Sequence, residues 1–484
     1  TPVLFMRAPE GVLFELVAGG LRDIPVAPAR VETARAVQRT REHNIRALGL
    51  IGPAATESDA SLLAQEQVEL TRVRRLIRFR ALAGAGAAIV ALVLFAAAWL
   101  GLFNWLPWFL RPEAYAVWVG DRLSTPELDA RIVLVVADSI SETALGRPWD
   151  STWRAEHAQL IERLSRAGAA VIAMDVVFDT PRVAAVDAQL ADAVQRARAR
   201  GTDVVLAAEE WAGDRLNLLP RLASLATAAG VCVGKRPLQS ATILPLATRR
   251  GAAEPIPSLA LAAAMGLRRQ KLLGLDQAAR SLLLRDAAGE VRTHGFTEVE
   301  RISGLQPGCR FLREDDVSAN LLIEHTDLKV LRGTQHRLRY EEVVAEQEPD
   351  LGRVRGRAAL VGRLFAGDRF RIWRGPLSVE RRYGVELHAD ALNTVLRDVV
   401  IRPAGNAIQF AATLLLAVAG AAIAGLALGD WPRRAALVVV AGLWLTVCAY
   451  VYAEDRILLI ALIQLAALVS AHAIARRTKR WVFP

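Results

Sequence analysis

Four long stretches of the chain contain no Asp, Glu, Lys or Arg and have the apolar content of membrane-spanning helices. They cover residues 81–110, 403–429, 435–453 and 457–475. A helix needs about 20 apolar residues to cross the ~30 Å hydrocarbon layer of a bilayer. The two shorter stretches have 19 residues each, so a buried helix of a water-soluble protein stays an alternative for them. The pattern predicts four transmembrane α-helices.

The basic residues around these stretches predict their orientation. Arg and Lys cluster before the first stretch (72–80), between the second and third (433–434) and after the fourth (476–480), whereas the loop 454–456 has a net charge of −1. Basic flanks of transmembrane helices stay in the cytoplasm. We therefore expect a multi-pass protein of the bacterial inner (plasma) membrane, with both termini cytoplasmic and residues 111–402 outside.

Two predicted cytoplasmic segments remain. Residues 1–80 form an N-terminal segment with a membrane-proximal helix, and residues 476–484 form a basic tail. Apolar runs on either side of the Pro-Gly turn at 8–11 predict a hairpin, and residues 31–48 and 59–80 have helical spacing. The second helix is expected to continue into the first transmembrane helix. The segment is either a membrane-proximal stalk or a docking surface for a cytoplasmic partner.

Residues 111–402 alternate short apolar runs with helical patterns. This alternation predicts an α/β extracytoplasmic domain with a largely parallel sheet. The predicted strands are Ile132–Ala137, Ala170–Phe178, Val204–Ala208 and Ala358–Gly362, and the predicted helices are Trp153–Ala167, Val186–Arg200, Ser258–Met265 and Val385–Leu396.

Composition narrows the function further. The chain is 53% hydrophobic and 23% charged, with a net charge of +10. Much of the basic excess lies at membrane edges, and no basic stripe stands apart from them, so we expect no nucleic-acid partner. Cys232 and Cys309 both lie in the extracytoplasmic domain, and an oxidising compartment would allow them to form a disulfide.

Several motifs resemble those of the type-two CHASE domain, one of the extracellular sensory domains first named for cyclases and histidine kinases. They are ADSISETALGRPW at 137–149, HAQLIERLSRAGAAVIAMDVVFDTP at 157–181, GRAALVG at 356–362, Asp368, and YGVELHADALNTVL at 383–396. Three apolar stretches follow closely. The resemblance covers about residues 111–475.

The resemblance implies a signal-input module outside the membrane. Members of the family often carry an attached kinase, cyclase or related enzyme, whereas only residues 476–484 follow the last predicted helix here. We therefore expect a sensor or receptor subunit that signals through a separate cytoplasmic effector, with assembly into a homo-oligomer left open. A structural or scaffolding subunit of an envelope complex is the alternative.

Six candidate ligand-binding residues follow the predicted strands or open the last helix of the domain. They are Asp138, Asp175, Asp179, Asp368, Glu386 and His388. Ligands of open α/β sheets bind at the carboxyl ends of strands, and converging carboxylates suit a cation or a polar ligand. The alternative is that these side chains cap helices, hold turns or pair with arginines.

Asp175 interrupts an apolar strand, and a buried carboxylate needs a partner. Arg147 and Arg154 are the candidates from the sequence. His157 and His388 are expected to face the core or a turn, so no metal site is predicted. The chain has no GxxxxGK[ST], GxSxG or HExxH motif. We therefore expect no enzyme activity, no catalytic residue and no cofactor.

Overall fold

The computed structural model describes residues 3–7, 13–17, 53–100, 112–213, 215–231, 243–296, 316–345, 351–375, 378–426 and 428–483. The chain divides into two compact units, residues 1–82 with 478–484 and residues 83–477. Cys232, Cys309 and the predicted helix at 31–48 lie outside the described residues.

The first unit contains the predicted hairpin. Strands β1 (Val3–Arg7) and β2 (Leu13–Val17) pair antiparallel, with Val3 opposite Val17 and Arg7 opposite Leu13. Helix α1 (Pro53–Trp99) begins in this unit and runs without a break into the second. The prediction that the helix at 59–80 continues into the first apolar stretch is therefore confirmed.

A six-stranded, fully parallel sheet forms the centre of the second unit. Its strands are β3 (Ile132–Ala137), β4 (Val171–Val177), β5 (Asp203–Ala208), β8 (Thr227–Gly230), β15 (Arg337–Arg339) and β16 (Ala358–Arg363). Their order across the sheet is β15-β3-β16-β4-β5-β8. The predicted parallel α/β sheet is confirmed. The position of β16 between β3 and β4 was not predicted.

Helices cover both faces of this sheet. Val133 and Val135 of β3 point into one core, and Leu134 and Val136 point into the other, which is why these strands are continuous apolar runs. The helices of the domain are α2 (Pro112–Leu123), α3 (Ser139–Leu145), α4 (Arg154–Arg166), α5 (Ala184–Ala199), α6 (Pro220–Leu225), α7 (Leu259–Arg268), α8 (Leu328–Leu331), α9 (Tyr340–Val344) and α10 (Gly384–Leu396). Helices α4 and α5 pack on one face, and α7 and α10 on the other.

Smaller antiparallel elements surround the central sheet. They are β6 (Trp211–Ala212) with β7 (Arg215–Leu216), β9 (Ile243–Arg249) with β10 (Ile256–Pro257) and β14 (Val317–Leu322), β11 (Lys271–Asp276) with β12 (Ser281–Arg285) and β13 (Val291–Gly295), and β17 (Arg369–Gly375) with β18 (Ser378–Tyr383).

Three helices are long and apolar enough to cross a membrane: α1, in its part Gln67–Ala98, α11 (Asn406–Gly425) and α12 (Asp430–Asp455). Large apolar side chains such as Leu415, Val438 and Leu443 are exposed on these helices, as a lipid-facing surface requires.

The fourth predicted span differs from the other three. Residues Ile457–Leu458 form β20 and pair in parallel with Arg402–Pro403 (β19), so α13 begins only at Ala461 and ends at Val482. Its charge-free part is therefore 461–475, about 22 Å of helix. By length and apolar content, the described residues support three spans, and the predicted total of four is not confirmed.

Candidate functional site

Three neighbouring strands end at the edge of the sheet where most of the predicted site residues lie. Because β16 lies between β3 and β4 and all three are parallel, the segments that follow them emerge side by side. Asp175 is near the end of β4, and Asp368 ends the 3-10 turn Ala366–Asp368 after β16. The first turn of α10 covers the same edge, with Val385 packed on Gly362.

Asp175, Asp368 and His388 come together there, and we call them the carboxylate–histidine site. The Nε2 atom of His388 lies 3.9 Å from Oδ1 of Asp175. The backbone N–H of Gly384 donates to Oδ2 of Asp368 over 3.3 Å. The three side chains come from β4, the turn after β16 and α10, so the fold of the sheet edge brings them together.

Two glycines allow this close approach. A Cβ on Gly384 would lie 2.9 Å from Oδ2 of Asp368 and 3.4 Å from Oδ2 of Asp175. A Cβ on Gly362 would lie 2.7 Å from Cβ of Val385. Any larger residue at either position would push α10 or the carboxylates away from the sheet edge.

Both carboxyl groups are held in conditions that oppose ionisation. Burial raises the pKa of Asp175 to about 7, with a further upward contribution from Glu209 and an opposing one from Arg363. Burial and the neighbouring Asp175 raise the pKa of Asp368 to about 6. No Arg or Lys side chain of the described residues forms an ion pair with either carboxylate.

His388 is fully buried, and neither of its ring nitrogens has a hydrogen-bond partner among the described residues. Burial lowers the pKa of His388 to about 4, so the imidazole is neutral near pH 7. A buried polar group without a partner costs free energy and calls for an explanation. Its position beside Asp175 links it to the carboxylate–histidine site.

The other three predicted residues have structural partners of their own. Asp138 caps α3, where Oδ1 accepts from the N–H groups of Ile140 and Ser141. Asp179 accepts from the hydroxyl of Thr180. Both oxygens of Glu386 accept from Arg332, over 2.7 and 3.0 Å. The structure thus brings Asp175, Asp368 and His388 together and leaves Asp138, Asp179 and Glu386 in caps, turns and ion pairs.

The expected partners of Asp175 were wrong. Arg147 pairs with Glu156, and Arg154 pairs with Asp187 and donates to the carbonyl of Thr180. Both arginines therefore donate to other acceptors, in or near α4 and α5. The nearest basic side chain to Asp175 is that of His388.

Sequence reasoning missed a second cluster of buried charges, in the later part of α10. Asp390 accepts from Arg382, from the Thr326 N–H over 3.1 Å, and lies 3.0 Å from Nδ1 of His325. Burial alone would raise the pKa of Asp390, but Arg382 and His325 hold it below its ordinary value. We call Asp390, Arg382, His325 and Thr326 the Asp390 network. The sequence did carry a signal of this cluster. The polar residues of the predicted helix are spread over 386–394 and do not all fall on one solvent-facing side, so some of them had to be buried.

A third cluster joins the domain to the loop between α12 and α13. Glu324 is buried, and its carboxylate accepts from Arg397 over 2.7 Å and lies 2.5 Å from Nε of Arg456. Arg456 also donates to the carbonyls of Tyr452 and Ala453 and so caps α12. We call Glu324, Arg397 and Arg456 the Glu324 bridge. It connects the end of α10 with the end of α12, one of the three helices that are long and apolar enough to cross a membrane.

The described residues contain no group of three or more His, Cys, Asp or Glu side chains placed to hold a metal ion. The carboxylate–histidine site therefore offers hydrogen-bond acceptors and negative charge rather than a preformed coordination sphere.

The model of the CHASE2 domain family matches residues 87–428, which is 342 of the 484 residues. The chain belongs to the CHASE2 family. CHASE2 domains are extracellular sensory domains. The matched range contains the whole central sheet, the carboxylate–histidine site and Glu324 and Arg397, but not Arg456. No curated protein and no solved structure is significantly similar to the chain.

Proposed function

We propose that this CHASE2 protein is an integral-membrane sensor subunit of the bacterial inner membrane. Its extracytoplasmic domain (111–402) binds a ligand and passes the signal through the membrane helices to a separate cytoplasmic effector. The protein itself has no enzyme activity and no cofactor. The Glu324 bridge is the observation that carries the proposal, because a sensor needs a mechanical connection between its input domain and its membrane helices.

The bridge is well suited to that role. Three further contacts place α2 of the domain against the same end of α12. The hydroxyl of Tyr452 donates to Asp121 over 3.2 Å, Arg456 donates to Ser124 over 3.3 Å, and a Cβ on Gly120 would lie 2.5 Å from the ring of Tyr452. A movement of α10 or α2 would therefore act directly on α12.

We propose that α13 is the fourth transmembrane helix. It has 22 residues, or about 33 Å. Its polar residues Gln464 and His472 lower its hydropathy but are buried, and Gln464 donates to Gln409 of α11 over 2.8 Å and accepts from Trp444 of α12. Arg476 donates to both carboxylate oxygens of Asp430, the first residue of α12, at 2.8 Å.

Both termini are cytoplasmic in this arrangement. The Glu324 bridge lies at the outer ends of α12 and α13, and the Asp430–Arg476 pair lies toward their other ends, as the positive-inside rule requires. A fluorescent protein fused after α13 should fluoresce, and alkaline phosphatase fused there should be inactive. Active phosphatase at that position would instead indicate three spans.

The effector can be found by affinity purification of the full chain from native membranes in mild detergent, followed by mass spectrometry. A sensor should retain a cytoplasmic kinase, cyclase, protease or similar enzyme. Glu324→Gln and Arg456→Gln should change the amount of effector retained or its activity. Arg221→Gln is the matched control, because the ion pair of Arg221 with Asp192 is exposed.

The opposite result is equally clear. Retention of envelope proteins alone, in a fixed ratio and equally by all variants, would contradict the sensor and support a structural subunit of an envelope complex. The same purification, run on a sizing column, tests the predicted homo-oligomer.

A further inference from the structure

We propose that the carboxylate–histidine site binds the protonated amine of a small organic ligand. The inference rests on the proposed sensor function and gives the chemical class of its ligand.

The site has two carboxyl groups whose charge, when they ionise, no ion pair of the described residues neutralises. An oxygen of Asp175 and both oxygens of Asp368 lie within 3.4 Å of a Cβ placed on Gly384, yet neither residue forms an ion pair with an Arg or Lys of the described residues. Arg363 is the basic group whose charge acts on both, and Glu209 opposes it at Asp175. A cation bound between the carboxylates would supply the missing charge.

The acceptors match an ammonium group in number. A primary ammonium has three N–H donors and no acceptor. Asp175, Asp368 and the neutral imidazole of His388 each offer an acceptor, and both nitrogens of His388 lack a partner among the described residues. An ammonium that donated to all three side chains would satisfy the acceptor nitrogen of the neutral imidazole, which no group of the described residues does.

Geometry favours an ammonium over a metal ion. A metal ion needs its ligand atoms at about 2.0–2.6 Å in a defined arrangement. An N–H group donates hydrogen bonds over longer nitrogen–acceptor distances, of about 2.7–3.2 Å. Nowhere in the described ranges is there a group of three side chains spaced for a metal.

The two carboxylates of the site reach solvent, and the imidazole does not. The Asp175 side chain is 14% exposed and Asp368 is half-buried, whereas His388 has no exposure. A ligand amine can therefore approach the carboxylates from solvent, and its contact with the imidazole requires the carboxylates to move apart.

The test uses the purified full chain in detergent and ethylammonium chloride as the probe, followed by isothermal titration calorimetry. Tetraethylammonium, which has no N–H donor, and calcium chloride are the comparison cations. A Kd on the order of 1 mM is near the limit for a ligand of three heavy atoms. Asp175→Asn and Asp368→Asn should each weaken binding about tenfold or more, because each removes a charged acceptor.

Asp179→Asn is the matched control, since Asp179 follows the same strand but, among the described residues, bonds only to its neighbour Thr180. It should leave binding unchanged. Because ammonium binding favours the ionised carboxylates, binding at pH 7 should release protons, and the measured heat should change with the ionisation enthalpy of the buffer. Thermal melting without ligand confirms that each variant is folded.

Three results would overturn the inference: no ethylammonium binding at tens of millimolar, equal binding of tetraethylammonium, or equal loss in Asp179→Asn. Binding of calcium in place of ethylammonium would show a metal site instead. No partner protein takes part in this experiment. If ethylammonium does not bind but the effector is retained normally, the proposed ligand class is wrong and the proposed sensor function is unaffected.

Discussion

The two halves of helix α10 differ in how completely their buried polar groups are matched. In the later half, Asp390 is matched by Arg382 and His325, and the following Arg397 is matched by Glu324. In the first half, Glu386 is matched by Arg332, but His388 has no hydrogen-bond partner, and the carboxylates beside it have no Arg or Lys partner among the described residues. The helix is buried along its whole length, so exposure does not explain the difference.

The comparison separates a structural role from a binding role. A matched buried charge holds the fold in one arrangement, because removing either partner leaves an isolated charge in a low-dielectric interior. An unmatched buried group is costly in the free protein and gains most from a ligand. This difference supports the proposal that the carboxylate–histidine site binds a ligand, whereas the Asp390 network and the Glu324 bridge hold the fold together and connect the domain to α12.

The largest expected loss of stability comes from removing a partner of the buried Asp390. Arg382→Met leaves Asp390 charged and buried, and should lower the free energy of unfolding by about 3–5 kcal/mol. Chemical unfolding of the full chain in detergent measures this. Arg221→Met, at an exposed ion pair, should cost less than about 0.5 kcal/mol. Similar losses in the two variants would show that the Asp390 network contributes little.

A pair of histidine variants compares the two halves directly. His325→Leu removes a partner of Asp390 and should cost about 1–3 kcal/mol. His388→Leu removes an imidazole without hydrogen bonds and should be neutral or stabilise the fold by about 1 kcal/mol. An equal loss of stability in His388→Leu and His325→Leu would contradict the difference between the two halves.

The smallest expected effect concerns the close approach at the first turn of α10. Gly384→Ala places a methyl group 2.9 Å from Oδ2 of Asp368 and should lower the free energy of unfolding by about 1 kcal/mol, because the carboxylate can rotate away. Gly367→Ala, where a methyl group meets nothing within 4 Å, is the control. Ethylammonium titration should detect weaker binding in Gly384→Ala and unchanged binding in Gly367→Ala.

The sequence predicted the parts of this picture that depend on local pattern. The strands Ile132–Ala137 and Ala358–Gly362 were recognisable because a parallel strand covered on both faces is a continuous apolar run. Asp175 was recognisable because it interrupts such a run. Asp368 and His388 were candidates because they lie in the loop after a predicted strand and at the start of the last predicted helix of the domain.

The sequence alone could not predict which distant residues pair in the folded domain. Arg382 and Asp390 are near each other in sequence, but His325 meets Asp390, and Glu324 meets Arg397 and Arg456, only when the domain is folded. The insertion of β16 between β3 and β4 likewise depends on the packing of distant elements. Arg147 or Arg154 was predicted as the partner of Asp175, whereas in the structure these two arginines pair with Glu156 and Asp187.

The most direct test is the pH dependence of stability in the wild type and in Asp175→Asn. Burial that raises the pKa of Asp175 from 3.8 to about 7 means that ionisation is easier in the unfolded chain. The wild type should therefore lose stability relative to the variant as the pH rises from about 4 to about 7, by about 1.4 kcal/mol per pH unit at the steepest, with no further change above. A difference that stays constant over this range would show that Asp175 is compensated after all, and would contradict the account.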